Sequence, residues 1–275
     1  MKEIQIADLQ EFQDRVAQLR ADLEEQREGM RVPALHLLFR GHKCAHWKLE
    51  TTLDRYSRKA PNLRNYLTEI GELLPEIEKR SDAKFPRPDD FETAIDDACG
   101  NLVKPMGLYP LSPYLIHLRH HGYPSPLLDW TRSADVALFF AFQRAADCKN
   151  AAVYCYCEIP LRGKHAWSEQ ANIYVMPGDK DRCHPRHRLQ EAEYTICLAM
   201  NEQTGEDDFG SHEDVFLRGH EGQDLLRKFL IPTSERAAIL RTLESRGRDA
   251  HRLFGTDDAL IETILTREEI APAQT

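Results

Sequence analysis

Hydrophobic and polar residues alternate along this chain with two different periods. In residues 8–29, Leu9, Phe12, Val16, Leu19 and Leu23 recur at helical spacing, with charges on the opposite face. Asp8 and Glu11 suit the N-terminal cap of this helix and its reciprocal acid. The stretch 61–80 repeats the pattern through Leu63, Leu67, Ile70, Leu73 and Leu74, and 91–103 predicts a further helix. Residues 112–121 read as a helix stopped by Gly122. Residues 133–146 (SADVALFFAFQRAA) predict a helix capped by Ser133 and apolar enough on all sides to be buried.

Shorter apolar runs predict strands at 35–41, 127–131, 151–159, 194–198 and 227–232. The polar, proline-containing segment 81–90 reads as a loop, as does the acidic stretch 201–214. A last helix is expected over 234–248, capped by Ser234. Helices and strands mix without regular βαβ alternation. That order predicts an α+β fold, with mixed or antiparallel sheet flanked by helices. The 275 residues read as a single domain, with helix 8–29 packed on its core.

Composition narrows the function classes. A net charge of −9 argues against a protein whose main task is to coat nucleic acid. No run approaches the length of a membrane-spanning helix, so no membrane association is expected. The start MKEIQIADLQEF places acids where a secretion signal has an apolar run, so a cytoplasmic location is expected. Seven cysteines, an odd number at irregular spacing, predict free thiols in a reducing compartment. The segment Cys183-His184-Pro185-Arg186-His187 offers ligand atoms, but no second Cys/His pair stands at zinc spacing, so no metal is expected. The Gly-rich loop of a kinase, the Gly-x-Ser-x-Gly elbow of a serine hydrolase and the His-Glu-x-x-His of a metalloprotease are all missing.

Three segments carry a resemblance. The first is Phe39-Arg40-Gly41, followed by Trp47-Lys48-Leu49 and Arg55. The second runs from His117 through His120-His121-Gly122-Tyr123-Pro124 to Leu127-Leu128-Asp129-Trp130-Thr131 and then Val136 to Ala141. The third is Arg188-Leu189-Gln190-Glu191-Ala192-Glu193-Tyr194. Together they resemble the FRG domain, named for its Phe-Arg-Gly motif, over roughly residues 30–260. The order of the segments is also similar to that of the ADP-ribosyltransferases. That similarity implies an ADP-ribosyltransferase-like core and NAD as the substrate.

The chemistry implied is consistent with these residue types. An arginine at a strand end binds diphosphate oxygens bidentately, so Arg40 beside Gly41 suits NAD. Cleaving the nicotinamide–ribose bond builds positive charge on the ribose, which a carboxylate stabilises. By the resemblance, Glu193 takes the ribose and Glu191 the acceptor, the two pointing to one face of an extended segment. The resemblance further implies NAD contacts from His120, His121, Tyr123, Asp129, Thr131 and Gln190. The acceptor would be a protein, a nucleic acid or water, in a bacterial toxin, defence effector or regulator held by a regulatory or antitoxin partner.

Plainer roles stand beside these. Asp129 suits a cap or a partner for Arg40, Trp130 suits the core, and the two glutamates suit a solvated strand edge. Two rival functions remain open. One is a nucleotide sensor without turnover. The other is nucleic-acid binding through the basic run 182–188.

Overall fold

The computed structural model describes residues 2–30, 36–56, 62–81, 90–100, 106–158, 170–176, 185–218 and 224–271. The fold is α+β: a mixed, open eight-stranded sheet flanked by helices. Its strands are β1 (Lys2–Gln5), β2 (Leu38–His42), β3 (Leu128–Thr131), β4 (Asn150–Glu158), β5 (Asn172–Met176), β6 (Ala192–Met200), β7 (Asp207–Phe209) and β8 (Asp224–Pro232). They lie in the order β1-β8-β4-β2-β3-β6-β5, with β7 also on β6. Only the β1–β8 pair is parallel among the described strands.

Helix α1 (Leu9–Met30) starts as the capping pattern predicts. The Asp8 carboxylate accepts from the Glu11 N–H, and Glu11 reaches back to the Ala7 N–H, each at 2.9 Å. Its apolar stripe packs on the sheet: Phe12 meets Phe229 of β8 edge-on at 5.3 Å. Helix α5 (Ala134–Phe142) is capped by the Ser133 hydroxyl and buried, with Val136, Ala137 and Leu138 fully enclosed. With α8 (Arg236–Ser245), α9 (Ala250–Phe254) and part of α10 (Asp257–Glu269), these helices cover β8, β4 and β2.

A second helical group covers β3, β6 and β5 on the same side of the sheet. It comprises α2 (Leu63–Arg80), α3 (Phe91–Gly100) and α4 (Ser112–His120). The opposite face is closed by Leu49 and by α7 (His212–Arg218), whose Phe216 stacks on Trp130 at 5.9 Å. Trp130 is therefore a core residue, with its indole N–H donating to the Thr195 hydroxyl at 2.8 Å.

The sheet is thin at one place. Strand β2 makes a five-residue ladder with β4, yet meets β3 at one residue pair, Phe39 opposite Thr131. Beyond that pair β2 and β3 part, and the two helical groups flank the gap.

Several expectations are revised. Within the stretch 201–214 expected to be loop lie β7 and the first residues of α7, which begins at His212 because Ser211 caps it through the Asp214 N–H at 3.1 Å. Ser234 does not cap α8; it sits in a 3-10 turn, Thr233–Glu235, that leads into the helix. Cys44 and Cys148 form a disulfide, with Cα atoms 5.6 Å apart, where free thiols were expected. The chain brings them together because Ala45 pairs with Asn150 at the end of the β2–β4 ladder. Cys99, Cys155, Cys157 and Cys197 are not in disulfides. Of the segment 183–187 considered for a metal, Cys183 and His184 lie outside the described residues, as does most of loop 81–90, whereas His187 is hydrogen-bonded to the Tyr194 hydroxyl. No helix among the described residues is long and apolar enough to cross a membrane.

Candidate functional site

The gap between β2 and β3 opens into a cavity of about 810 Å³. The Phe-Arg-Gly triplet builds its floor by strand alternation. Phe39 is fully buried against α5. Gly41 lies so close to α5 that an added Cβ would stand 2.7 Å from the Ala141 nitrogen and collide with the Ala137 carbonyl oxygen. Between them, Arg40 spans the split: its Nη1 donates to the Asp129 carbonyl at 2.6 Å and its Nε to His42 Nε2 at 3.0 Å. One guanidinium thus stands in for the missing β2–β3 ladder.

Burial lowers the Arg40 pKa to about 10, against the opposing pull of Asp129, so the group stays charged at neutral pH. His42 accepts the Arg40 bond, which requires a neutral ring with its proton on Nδ1, facing the Trp47 carbonyl at 3.4 Å. Burial, helped by the Arg40 charge, pulls His42 down to about 3.

Charge in the cavity opposes that of the whole chain. Arg40, Lys43, Lys48, Arg55 and Arg186 line it, against the acids Glu50 and Asp129. In a protein of net charge −9, such a local excess of cations favours an anionic ligand. Trp47, Phe140, Tyr194 and Phe254 add ring surface, and the Arg186 guanidinium lies over the Phe254 ring at 5.1 Å. Tyr194 sits between two histidines. Its hydroxyl is 2.7 Å from His120 Nε2 and 2.8 Å from His187 Nδ1, a hydrogen-bonded chain leading from the cavity into the protein.

Of the residues singled out in the sequence, Arg40, Gly41, His120, Asp129, Thr131 and Gln190 line this cavity. Thr131 and Gln190 hold the wall together. The Thr131 hydroxyl donates to the Gln190 carbonyl at 2.7 Å, and the Gln190 amide donates to the Leu253 carbonyl at 3.2 Å. Asp129 binds Arg119 at 2.8 Å through Oδ2, while its Oδ1 has no hydrogen-bond partner among the described residues.

Glu191, Glu193, His121 and Tyr123 are not among the cavity residues. Ala192 and Tyr194 line the cavity, so alternation along β6 turns Glu193 to the other face. Its side chain is 3% exposed and pairs with Arg132 at 2.5 Å. Glu191 precedes the strand in a left-handed turn, φ 47°, and pairs with Arg248 at 3.0 Å. The two glutamates therefore do not share a strand face. His121 lies tilted against His117, with ring centroids 4.2 Å apart, and with Tyr123 lines a neighbouring hollow that shares Arg55 with the cavity. Sequence reasoning missed the cavity roles of Lys43 and Phe254, which no motif marks, and of Phe140, which stands in the Val136–Ala141 motif without a role assigned to it.

The model of the FRG domain family matches residues 35–150. Over this stretch the chain is similar to the FRG domain. The match spans Arg40 and the Asp129–Thr131 wall and ends before Glu191 and Glu193, short of the wider span implied by the sequence resemblance. No curated protein and no solved structure matches the chain.

The buried histidines make the fold pH-sensitive. His42, and His212 bonded to the Thr195 hydroxyl at 3.0 Å, are both held near 3 by burial, below the ordinary 6.5. The unfolded chain thus binds protons that the folded chain refuses between these values. Stability is full above about pH 6.5 and falls as pH drops toward 3, by up to about 1.4 kcal/mol per pH unit for each histidine. Urea midpoints should fall clearly between pH 7 and pH 5; equal midpoints would contradict this reading.

Proposed function

We propose that the cleft binds a nucleotide carrying a diphosphate, with NAD as the substrate, and that the protein breaks the nicotinamide–ribose bond. The observation that carries this reading is the charged Arg40 guanidinium, set in the sheet split among four further cavity cations. A diphosphate matches that charge, and the rings of Trp47, Phe140 and Phe254 suit flat bases beside it. The order of the sequence motifs, similar to that of the ADP-ribosyltransferases, names NAD within this class.

Bond cleavage needs a carboxylate near the ribose. In the cleft that role falls to Asp129, whose partly exposed carboxylate lines the cavity beside Arg119. As the carbon–nitrogen bond breaks, its electron pair leaves with nicotinamide, and the ribose carbon takes oxygen from water or a macromolecular acceptor. Asp129 stabilises the charge that builds on the ribose.

The test is nicotinamide release from NAD by the purified protein. Asp129→Asn should lower the rate by about a hundredfold or more, as for loss of a group that stabilises transition-state charge. Glu193→Gln should leave the rate largely intact. Loss with Glu193→Gln alone would move the chemistry to β6. A second reading is binding without turnover, favoured by the ion pairs that hold Glu191 and Glu193 outside the cleft. NAD binding without any nicotinamide release would select it.

A further inference from the structure

We propose that the reduced chain holds a soft divalent cation through Cys44, Cys148 and His46, at the rim of the cleft. The ligand atoms of these three residues lie within 4.8 Å of one another. In the oxidised chain the two sulfurs are joined, and no cation can take both. The site is therefore available only to the dithiol form.

The backbone keeps the sulfurs together without the bridge. Ala45 donates to the Asn150 carbonyl at 2.9 Å, fixing the turn that carries Cys44 and His46. The Thr233 hydroxyl donates to the Cys148 carbonyl at 2.6 Å, fixing the other side. Opening the disulfide therefore frees two thiols that remain neighbours. Tetrahedral zinc, with zinc–sulfur bonds near 2.3 Å, needs its two sulfurs about 3.8 Å apart, a small displacement from the bridged geometry. A staple alone needs no imidazole beside it, whereas two thiolates and a histidine suit zinc and similar metals. Three protein ligands leave the fourth tetrahedral position open. His46 lines the cleft, so an anion in the cleft can complete the set.

The chemistry balances. A dithiol reductant gives two electrons and two protons to the Cys44–Cys148 bond and is itself oxidised to a disulfide. The cation then displaces both thiol protons and binds two thiolates and the neutral imidazole. None of this depends on the nucleotide reading.

Cobalt(II) is the probe, since its thiolate complexes absorb where the protein does not. After reduction and removal of reductant under nitrogen, the wild-type chain should bind one equivalent and show a thiolate-to-cobalt charge-transfer band, which zinc then abolishes. The oxidised protein should show no band. The double variant Cys44→Ser, Cys148→Ser should lose it. His46→Ala, an exposed position that leaves the fold intact, should weaken binding by about tenfold to a hundredfold. Absence of the band in reduced wild type, its survival in the double serine variant, or unchanged binding in His46→Ala would each overturn the proposal.

Discussion

Replacing Arg40 with alanine should abolish most nucleotide binding while leaving a folded protein. The guanidinium bridges the two lips of the split, through His42 on one side and the Asp129 carbonyl on the other. Removing it takes away a charge-assisted partner for a diphosphate from a partly dehydrated place. Truncations of that kind cost about 2–5 kcal/mol, roughly thirtyfold to several thousandfold in Kd. Arg40→Lys keeps the charge but loses the planar fork that makes both bonds, so it should fall between wild type and alanine. Competition against a fluorescent ADP analogue reads the effect, with thermal melts as a check on folding. Equal affinity in wild type and Arg40→Ala would remove Arg40 from the site.

The neighbouring glycine should matter for a different reason. Gly41→Ala introduces a methyl that meets main-chain atoms of α5, the Ala137 carbonyl and the Ala141 nitrogen. Main chain cannot rotate aside, so β2 or α5 must move. The expected cost is at least about 3 kcal/mol. For a chain of this size that lowers Tm by about 5 °C. Trimming the Ala137 side chain to glycine should not rescue it, because the contact is with backbone atoms. A melt unchanged by Gly41→Ala would refute the close approach. The glycine of the motif thus serves the packing of helix on strand, and the arginine serves the cleft.

Much of this was legible in the sequence where one period dominates. The all-apolar run from Val136 to Phe142 gave a buried helix, and the Asp8–Glu11 pair a helix start. The Phe-Arg-Gly triplet and the Asp129–Thr131 strand, two of the segments that carry the resemblance, meet across one sheet. What the chain order could not reveal is where a strand begins. Glu191 and Glu193 lie two residues apart, and the inference that they share a face needs both to be extended. The left-handed turn at Glu191 breaks that condition, and β6 begins at Ala192. The lining residues Phe140 and Phe254 come from helices far apart in sequence, and only the folded sheet brings them to one cavity. The Cys44–Cys148 pair is a similar case, 104 residues apart and joined by the β2–β4 ladder.

The central claim is that the split in the sheet is a diphosphate site. Calorimetric titration of the wild-type protein with NAD, ADP-ribose and nicotinamide separates the parts of the ligand. The account predicts saturable binding of NAD and ADP-ribose at one site, with nicotinamide far weaker, because the cations of the cleft hold the diphosphate. Binding of nicotinamide without ADP-ribose, or no binding of any of the three, would contradict it.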